Sequence, residues 1–320
     1  ELWGSNGTEA GTNQVKDINA GPGGSYPSEL ANVNGVTYFS ADDGLTGSEL
    51  WKSDGTAAGT VLVKDINPGS ASSISSCITN ANGVLYFAAD DGVQGSELWK
   101  SDGTEAGTQQ VKDINPGVQG SGPCGFTNVN GVLYFEAYDG TSGYELWKSD
   151  GTAAGTVLVK DINPGLADSN PSSLTNLNGV VFFAAHTIMN GWELWKSDGT
   201  DASTVQVKDI YPGFLSSAPS ELTNVSGTLF FSADDGINGR ELWKVIWLGD
   251  TIPPVLLMPG DIEAEAMNSS GTRVTYTVTA LDNVDGPLIP VCSPASGSTF
   301  ALGPTTVSCT ATDSSGNSAS

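Results

Sequence analysis

At 320 residues the chain has room for two or three domains, and its 41 glycines, 16 prolines and 38% hydrophobic content suit short strands joined by turns. Thirty-six acidic against twelve basic side chains give a formal charge of −24, which repels phosphate and excludes nucleic acid and anionic membranes as partners; divalent cations, polysaccharide and other proteins stay open. No stretch approaches the roughly 18 consecutive apolar residues that a spanning helix needs, so no membrane span is expected.

Glu-Leu-Trp recurs at Glu1, Glu49, Glu97, Glu145, Glu193 and Glu241 with no drift in spacing. A fixed period over most of a chain marks a repeat architecture. Residues 76 to 117 show the unit. Ile78-Thr79-Asn80 is a short strand, closed by Asn82-Gly83, a tight hairpin signal. Val84 to Ala89 follows as a nearly continuous apolar strand, the pattern of a strand covered on both faces. Asp90-Asp91-Gly92 turns into a third strand at Ser96-Glu97-Leu98-Trp99-Lys100, and Ser101-Asp102-Gly103-Thr104 turns again. The fourth strand, Gln109 to Ile114, alternates as an outer strand does, and Asn115-Pro116-Gly117 opens a longer connection.

Four antiparallel strands with three tight turns and one crossover predict a β-propeller blade, so the fold class is all-β. The aromatic pairs Tyr38-Phe39, Tyr86-Phe87, Tyr134-Phe135, Phe182-Phe183 and Phe230-Phe231 are expected to fill the space between blades. The first unit lacks its two inner strands and the last ends just after its third. Pairing of the N-terminal outer strand with the C-terminal inner strands would close a ring of five blades, the preferred reading. An open superhelical stack, or a larger ring shared with other sequence, is the alternative.

Chemistry-bearing residues are few. The Asp-Asp-Gly turns make Asp42, Asp43, Asp90, Asp91, Asp234 and Asp235 calcium candidates, because carboxylates on a tight loop supply hard oxygen ligands. The competing role is an Asx turn with solvated acids. His186, the sole histidine, replaces one of these acids and has no nucleophile motif beside it. The repeated tryptophans fit inter-blade core, with the indole N–H tied to backbone, better than a sugar-stacking face. Cys77 and Cys124 lie one residue out of phase in consecutive units, placed for a blade-to-blade disulfide or for two buried thiols. Asn6, Asn224 and Asn268 stand in glycosylation sequons. No signal peptide is present, and the chain starts inside a repeat, so Glu1 is read as a processed or arbitrary boundary.

The repeat stops at Leu248 to Pro254, where Pro-Pro marks an extended linker and divides 1–247 from 248–320. Val274 to Thr279 and Thr305 to Thr312 alternate as strands of a small β-sandwich. Cys292 and Cys309 enclose a loop of the kind a disulfide closes, and four cysteines favour an oxidising exterior.

Glu49-Leu50-Trp51-Lys52-Ser53-Asp54-Gly55-Thr56, and the copies at Glu97, Glu145 and Glu193, resemble the ELWxxDGT repeat of large secreted or surface-exposed bacterial and archaeal proteins. The copy at Glu1 departs with Gly4 and Asn6, and that at Glu241 lacks Asp-Gly-Thr. Asp250 to Pro254, Asp282 to Gly286, Cys292-Ser293-Pro294, and Cys309 through Asp313 to Asn317 resemble the HYR (hyalin repeat) domain, an immunoglobulin-like module of cell adhesion and surface architecture. The pattern departs in lacking a cysteine near Met258, a second beyond Ser320, and the last strand. The resemblances imply a non-enzymatic extracellular or cell-surface structural or adhesion protein, a filament subunit among the options. A carbohydrate-binding propeller is the alternative. A sialidase-type enzyme is third, since Arg240 and Arg273 are the only arginines and no arginine triad can form. Expected partners are copies of the chain joined head to tail, or other surface proteins and polysaccharide. No cofactor other than calcium is expected.

Overall fold

The computed structural model describes residues 1–246, 252–266, 268–282, 286–313 and 316–320, and contains no helix among them. The chain divides into two compact units, Glu1–Ile246 and Trp247–Ser320. Of the linker expected from Leu248 to Pro254, residues 248–251 lie outside the described residues.

In the first unit, β1 (Leu2–Gly4) and β2 (Asn13–Lys16) form a two-stranded antiparallel sheet. Four four-stranded antiparallel sheets follow, each in chain order. The first holds β3 (Ser28–Val33), β4 (Val36–Asp42), β5 (Ser48–Ser53) and β6 (Val61–Lys64). The second holds β7 (Ile74–Ala81), β8 (Val84–Asp90), β9 (Ser96–Ser101) and β10 (Gln109–Lys112). The third holds β11 (Cys124–Val129), β12 (Val132–Tyr138), β13 (Tyr144–Ser149) and β14 (Val157–Lys160). The fourth holds β15 (Ser172–Leu177), β16 (Val180–Thr187), β17 (Gly191–Ser197) and β18 (Val205–Lys208). A three-stranded sheet, β19 (Ser220–Val225), β20 (Thr228–Asp234) and β21 (Arg240–Ile246), ends the array.

Local chemistry explains the strands. Each Asn-Gly hairpin places both residues at positive φ, 53° and 84° at Asn82 and Gly83, the turn whose twist matches paired strands. Second strands are largely apolar because neighbouring sheets cover both faces: Leu85, Phe87 and Ala89 share a core cluster with Val33, Leu50 and Val63 of the preceding sheet. The same grouping recurs at the next two interfaces. Trp51, Trp99, Trp147 and Trp195 hold equivalent buried places, only 5–8% exposed, and pair across the ladder with Phe39, Phe87, Phe135 and Phe183. One detail differs from expectation. The indole N–H groups of Trp51, Trp147 and Trp195 are buried without a hydrogen-bond partner, whereas that of Trp243 donates to Ala233 O at 3.1 Å. Close packing between two sheets positions the inner rings by shape rather than by a polar tether.

The five-bladed closure does not form. Among the described residues β1 pairs with β2 and β21 with β20, and the outer face of the last sheet is bare. Leu242 there is 74% exposed, whereas Leu50, Leu98, Leu146 and Leu194 are at 0–1%. The physical reason lies in the register of the repeat. β1 and β21 are both the Glu-Leu-Trp third strand, so the two end pieces compete for one place in a sheet and cannot merge into a single blade.

The second unit contains short antiparallel pairings: β22 (Val255–Leu257), β24 (Thr279–Asp282) and β25 (Gly286–Leu288) form one sheet, β23 (Thr272–Arg273) pairs with β27 (Thr299–Phe300), and β26 (Val291–Ser293), β28 (Ser308–Thr312) and β29 (Ser318–Ala319) form another. The strand expected over 274–279 is largely absent. Val274, Tyr276 and Val278 instead line a cavity of about 780 Å³ with Phe300, Val307 and Cys309. Their alternation puts the apolar side chains on one side as the sequence suggests, without a continuous partner strand to complete the ladder.

Candidate functional site

The geometry repeated from sheet to sheet fixes where the loops emerge. Glu49, Glu97, Glu145 and Glu193 are fully buried. Glu97 accepts from Ile114 N (2.9 Å), Asn115 N (3.2 Å) and Ser121 Oγ (2.6 Å), and Glu145 from Ile162 N and Ser169 Oγ in the same way. Each glutamate thus pins the connection that leaves its own sheet. Burial pushes the carboxyls of Glu49 and Glu145 up to about 7, against the downward pull of these donors.

The lysines reach forward. Lys52, Lys100 and Lys148 donate to Gly103 O, Gly151 O and Gly199 O of the next sheet's Asp-Gly-Thr turn, at 2.8–2.9 Å. Lys64 and Lys112 donate to Thr108 O and Thr156 O, both at 2.8 Å, while lying 5.6–5.7 Å from the ring centres of Trp99 and Trp147. Their charges are committed to cross-sheet carbonyls and aromatic faces.

The calcium candidates serve their own turns. Asp42, Asp90 and Asp234 each accept from the glycine N–H two residues on, at 2.7 Å. Asp43, Asp91 and Asp235 each accept from the next two available N–H groups, as at Leu45 (2.9 Å) and Thr46 (2.8 Å). The N–H groups of Asn238 and Ile237 hold the Asp235 carboxyl below the usual range. Among the described residues no three His, Cys, Asp or Glu side chains gather in a metal-binding group.

The His186 ring lies 5.9 Å from that of Trp192, its cross-strand partner, with the two planes tilted by 54°. The Arg240 guanidinium donates to Ser220 Oγ, Ser232 Oγ and Ala218 O, which makes it a clamp on the last sheet. Asn6 Oδ1 accepts from Thr8 N, and Asn268 Oδ1 from Ser270 N. Asn224 is more constrained: its Nδ2 donates to Asn176 O (2.9 Å) and its Oδ1 accepts from Gly227 N (3.0 Å), continuing a ladder through Asn176 and Asn128.

Both cysteine pairs are bonded. Cys77–Cys124 joins β7 to β11 with Cα atoms 5.6 Å apart, and Cys292–Cys309 joins β26 to β28. The one-residue phase difference has a cause. Each first strand carries a bulge at a positive-φ residue, 65° at Cys77 and 68° at Gly125, so Cys124 approaches from the residue before the bulge.

One set of residues escaped sequence reasoning. Leu45, Val93, Val118, Leu166 and Ile237 are solitary apolar residues in turns, and Phe214 is flanked by Leu215; the six lie between 68% and 86% exposed. A lone apolar turn residue carries no periodic signal, so only the assembled array shows that they share an edge.

Residues 249–320 match the model of the HYR domain. No curated protein matches the chain. Similar solved structures include the computationally designed Ika8 protein, at 17% identity and TM-score 0.42 over 69% of this chain and 58% of that one. A puromycin hydrolase is similar at 16% identity and TM-score 0.43 over 70% of this chain and 35% of its own, and a prolyl endopeptidase at 12% and 0.44 over 79% and 39%. The chain therefore spans little more than half of the designed protein and under half of the two enzymes. These neighbours correct one expectation: with peptidases among them, the reading of the chain as a non-enzyme is not carried forward. Their likeness is too weak to argue for an activity.

Proposed function

We propose that residues 1–246 are a stack of ELWxxDGT-type propeller blades in an extracellular structural or adhesion protein, and that copies of the chain join head to tail. The HYR match supports a cell-surface, adhesion-type setting, and the two disulfides suit an extracellular one. The observation that carries the assembly is the bare outer face of β19–β21. Val225 (52%) and Leu242 (74%) lie open where Val129 and Leu146 are sealed by a following sheet. Trp3 of the β1–β2 pair, 61% exposed, is the counterpart of the indoles that cover this face within the array. A contact between two different faces does not close on itself, and so builds a filament. Sedimentation and electron microscopy of the chain, beside Leu242→Asp, test the reading: filaments lost in the variant support it, and a homogeneous wild-type monomer ends it.

A further inference from the structure

The loops of the array fall on two edges with different chemistry. One edge carries the one-to-two hairpins and the three-to-four turns, residues such as 82–83, 102–108 and 150–156. These contain no valine, leucine, isoleucine, methionine or aromatic residue. The other edge carries the two-to-three turns and the connections between sheets. Backbone bonds place these two loop families side by side: Ser121 N donates to Ser96 O of one sheet, and Tyr138 N of the next donates to Ser121 O, at 2.9 and 3.0 Å. Ser169 makes the equivalent link one sheet on; two sheets on, Ala218 N donates to Trp192 O and Asp234 N to Ser217 O.

This second edge displays Leu45, Val93 and Ile237 on its turns and Val118, Leu166 and Phe214 on its connections. Single exposed apolar side chains are ordinary on a protein surface, but confinement to one edge, with none in the loops opposite, is not. The same edge is acidic. Asp42, Asp43, Asp90, Asp91, Asp234 and Asp235 sit beside the apolar tips, and Asp168 follows Leu166 closely in its connection. The lysines offer them little relief, because Lys52, Lys64, Lys100, Lys112 and Lys148 donate to carbonyls of the opposite edge. Arg240 is tied to Ser220, Ser232 and Ala218.

We propose that this loop edge is a docking surface for a protein segment that alternates basic and apolar side chains. Charge selects the occupant. An anionic bilayer is repelled by the aspartates, and so is the same edge of a second copy, whose formal charge is also −24. Apolar side chains of the partner would meet the turn tips, and its cations the carboxylate atoms not used by the turns. The proposal is independent of head-to-tail joining, which uses the end faces.

The test uses the whole chain and two labelled peptides, one of Lys-Leu-Gly repeats and one of Lys-Ser-Gly repeats, followed by fluorescence anisotropy at low and high salt. The Lys-Leu-Gly peptide should bind at least about tenfold more tightly, a difference of roughly 1.4 kcal/mol. Combined Leu45→Ser, Val93→Ser, Leu166→Ser, Phe214→Ser and Ile237→Ser substitution should abolish that preference without moving the thermal midpoint, since every site is exposed. Amide-exchange protection should fall on residues 43–46, 91–94 and 235–238. Equal affinity for the two peptides, an undiminished preference in the variant, or protection elsewhere would overturn the proposal. So would preferential binding of neutral phosphatidylcholine vesicles or of a neutral polysaccharide, each reversed by the same substitutions.

Discussion

The inner sheets and the last sheet of the array share a sequence pattern and differ in what lies next to them. Glu193 and Leu194 of β17 are sealed, while Glu241 and Leu242 of β21 are open. Glu-Leu-Trp therefore encodes a capacity for burial, and the following sheet realises it. The half-buried position of Trp243, whose N–H finds Ala233, shows the same residue settling differently once one wall is removed.

The largest expected effect sets these sheets against each other directly. Leu146→Ala should cost about 2–5 kcal/mol, through lost apolar burial and the cavity left behind. In the dissociated single chain Leu242→Ala should stay within about 0.5 kcal/mol, as exposed substitutions do. Urea unfolding monitored by tryptophan fluorescence would measure both, and comparable losses at the two sites would mean that the last sheet is covered in solution.

The disulfide between β7 and β11 comes next. Only this inner interface carries a covalent staple, and Cys77→Ser with Cys124→Ser should lower stability by about 2–4 kcal/mol. Denaturant midpoints of variant and parent, taken without reductant, would check it.

Acidity separates the sheets in a third way. Burial raises the folded-state carboxyls of Glu49 and Glu145 from 4.5 to about 7, so the folded protein holds these protons more tightly than the unfolded chain. Their contribution is fully present below pH 4.5 and is lost as pH rises through about 7, where buried carboxylates must ionise. Thermal midpoints should fall across that window. Glu145→Gln should flatten the fall, whereas Glu241→Gln, in the open sheet, should leave it unchanged.

The smallest effect concerns the lysines. Lys100→Met removes a 2.9 Å bond to Gly151 O and should cost about 1 kcal/mol, and Lys244→Met, on the bare face, close to nothing. Equal effects, measured by the same unfolding assay, would contradict a cross-sheet role.

Much of this was legible in the sequence. The period gave the unit, Asn82-Gly83 the hairpin, and the apolar run from Val84 to Ala89 a strand covered twice. The cysteine pairs and the self-satisfied Asp-Asp-Gly turns were also within reach, because turn chemistry is decided within a few residues. Two readings failed on that same locality. Val274 to Thr279 alternates as a strand should, yet a ladder needs a partner that alternation cannot supply. The indole N–H groups were expected to meet backbone, and inter-sheet packing overrode that preference.

What the sequence by itself determined is the repeat, its strands, its turns and the face of each strand that can be buried, since all follow from side-chain order along a few residues. Tertiary structure alone decided that the ends stay apart, that Cys124 reaches Cys77 from beside a bulge, and that solitary residues such as Val93 and Leu166 meet on one edge. The ends stay apart because both are Glu-Leu-Trp third strands and one sheet has room for only one; the other two outcomes depend on which sheet lies beside which, and no single repeat specifies its neighbour.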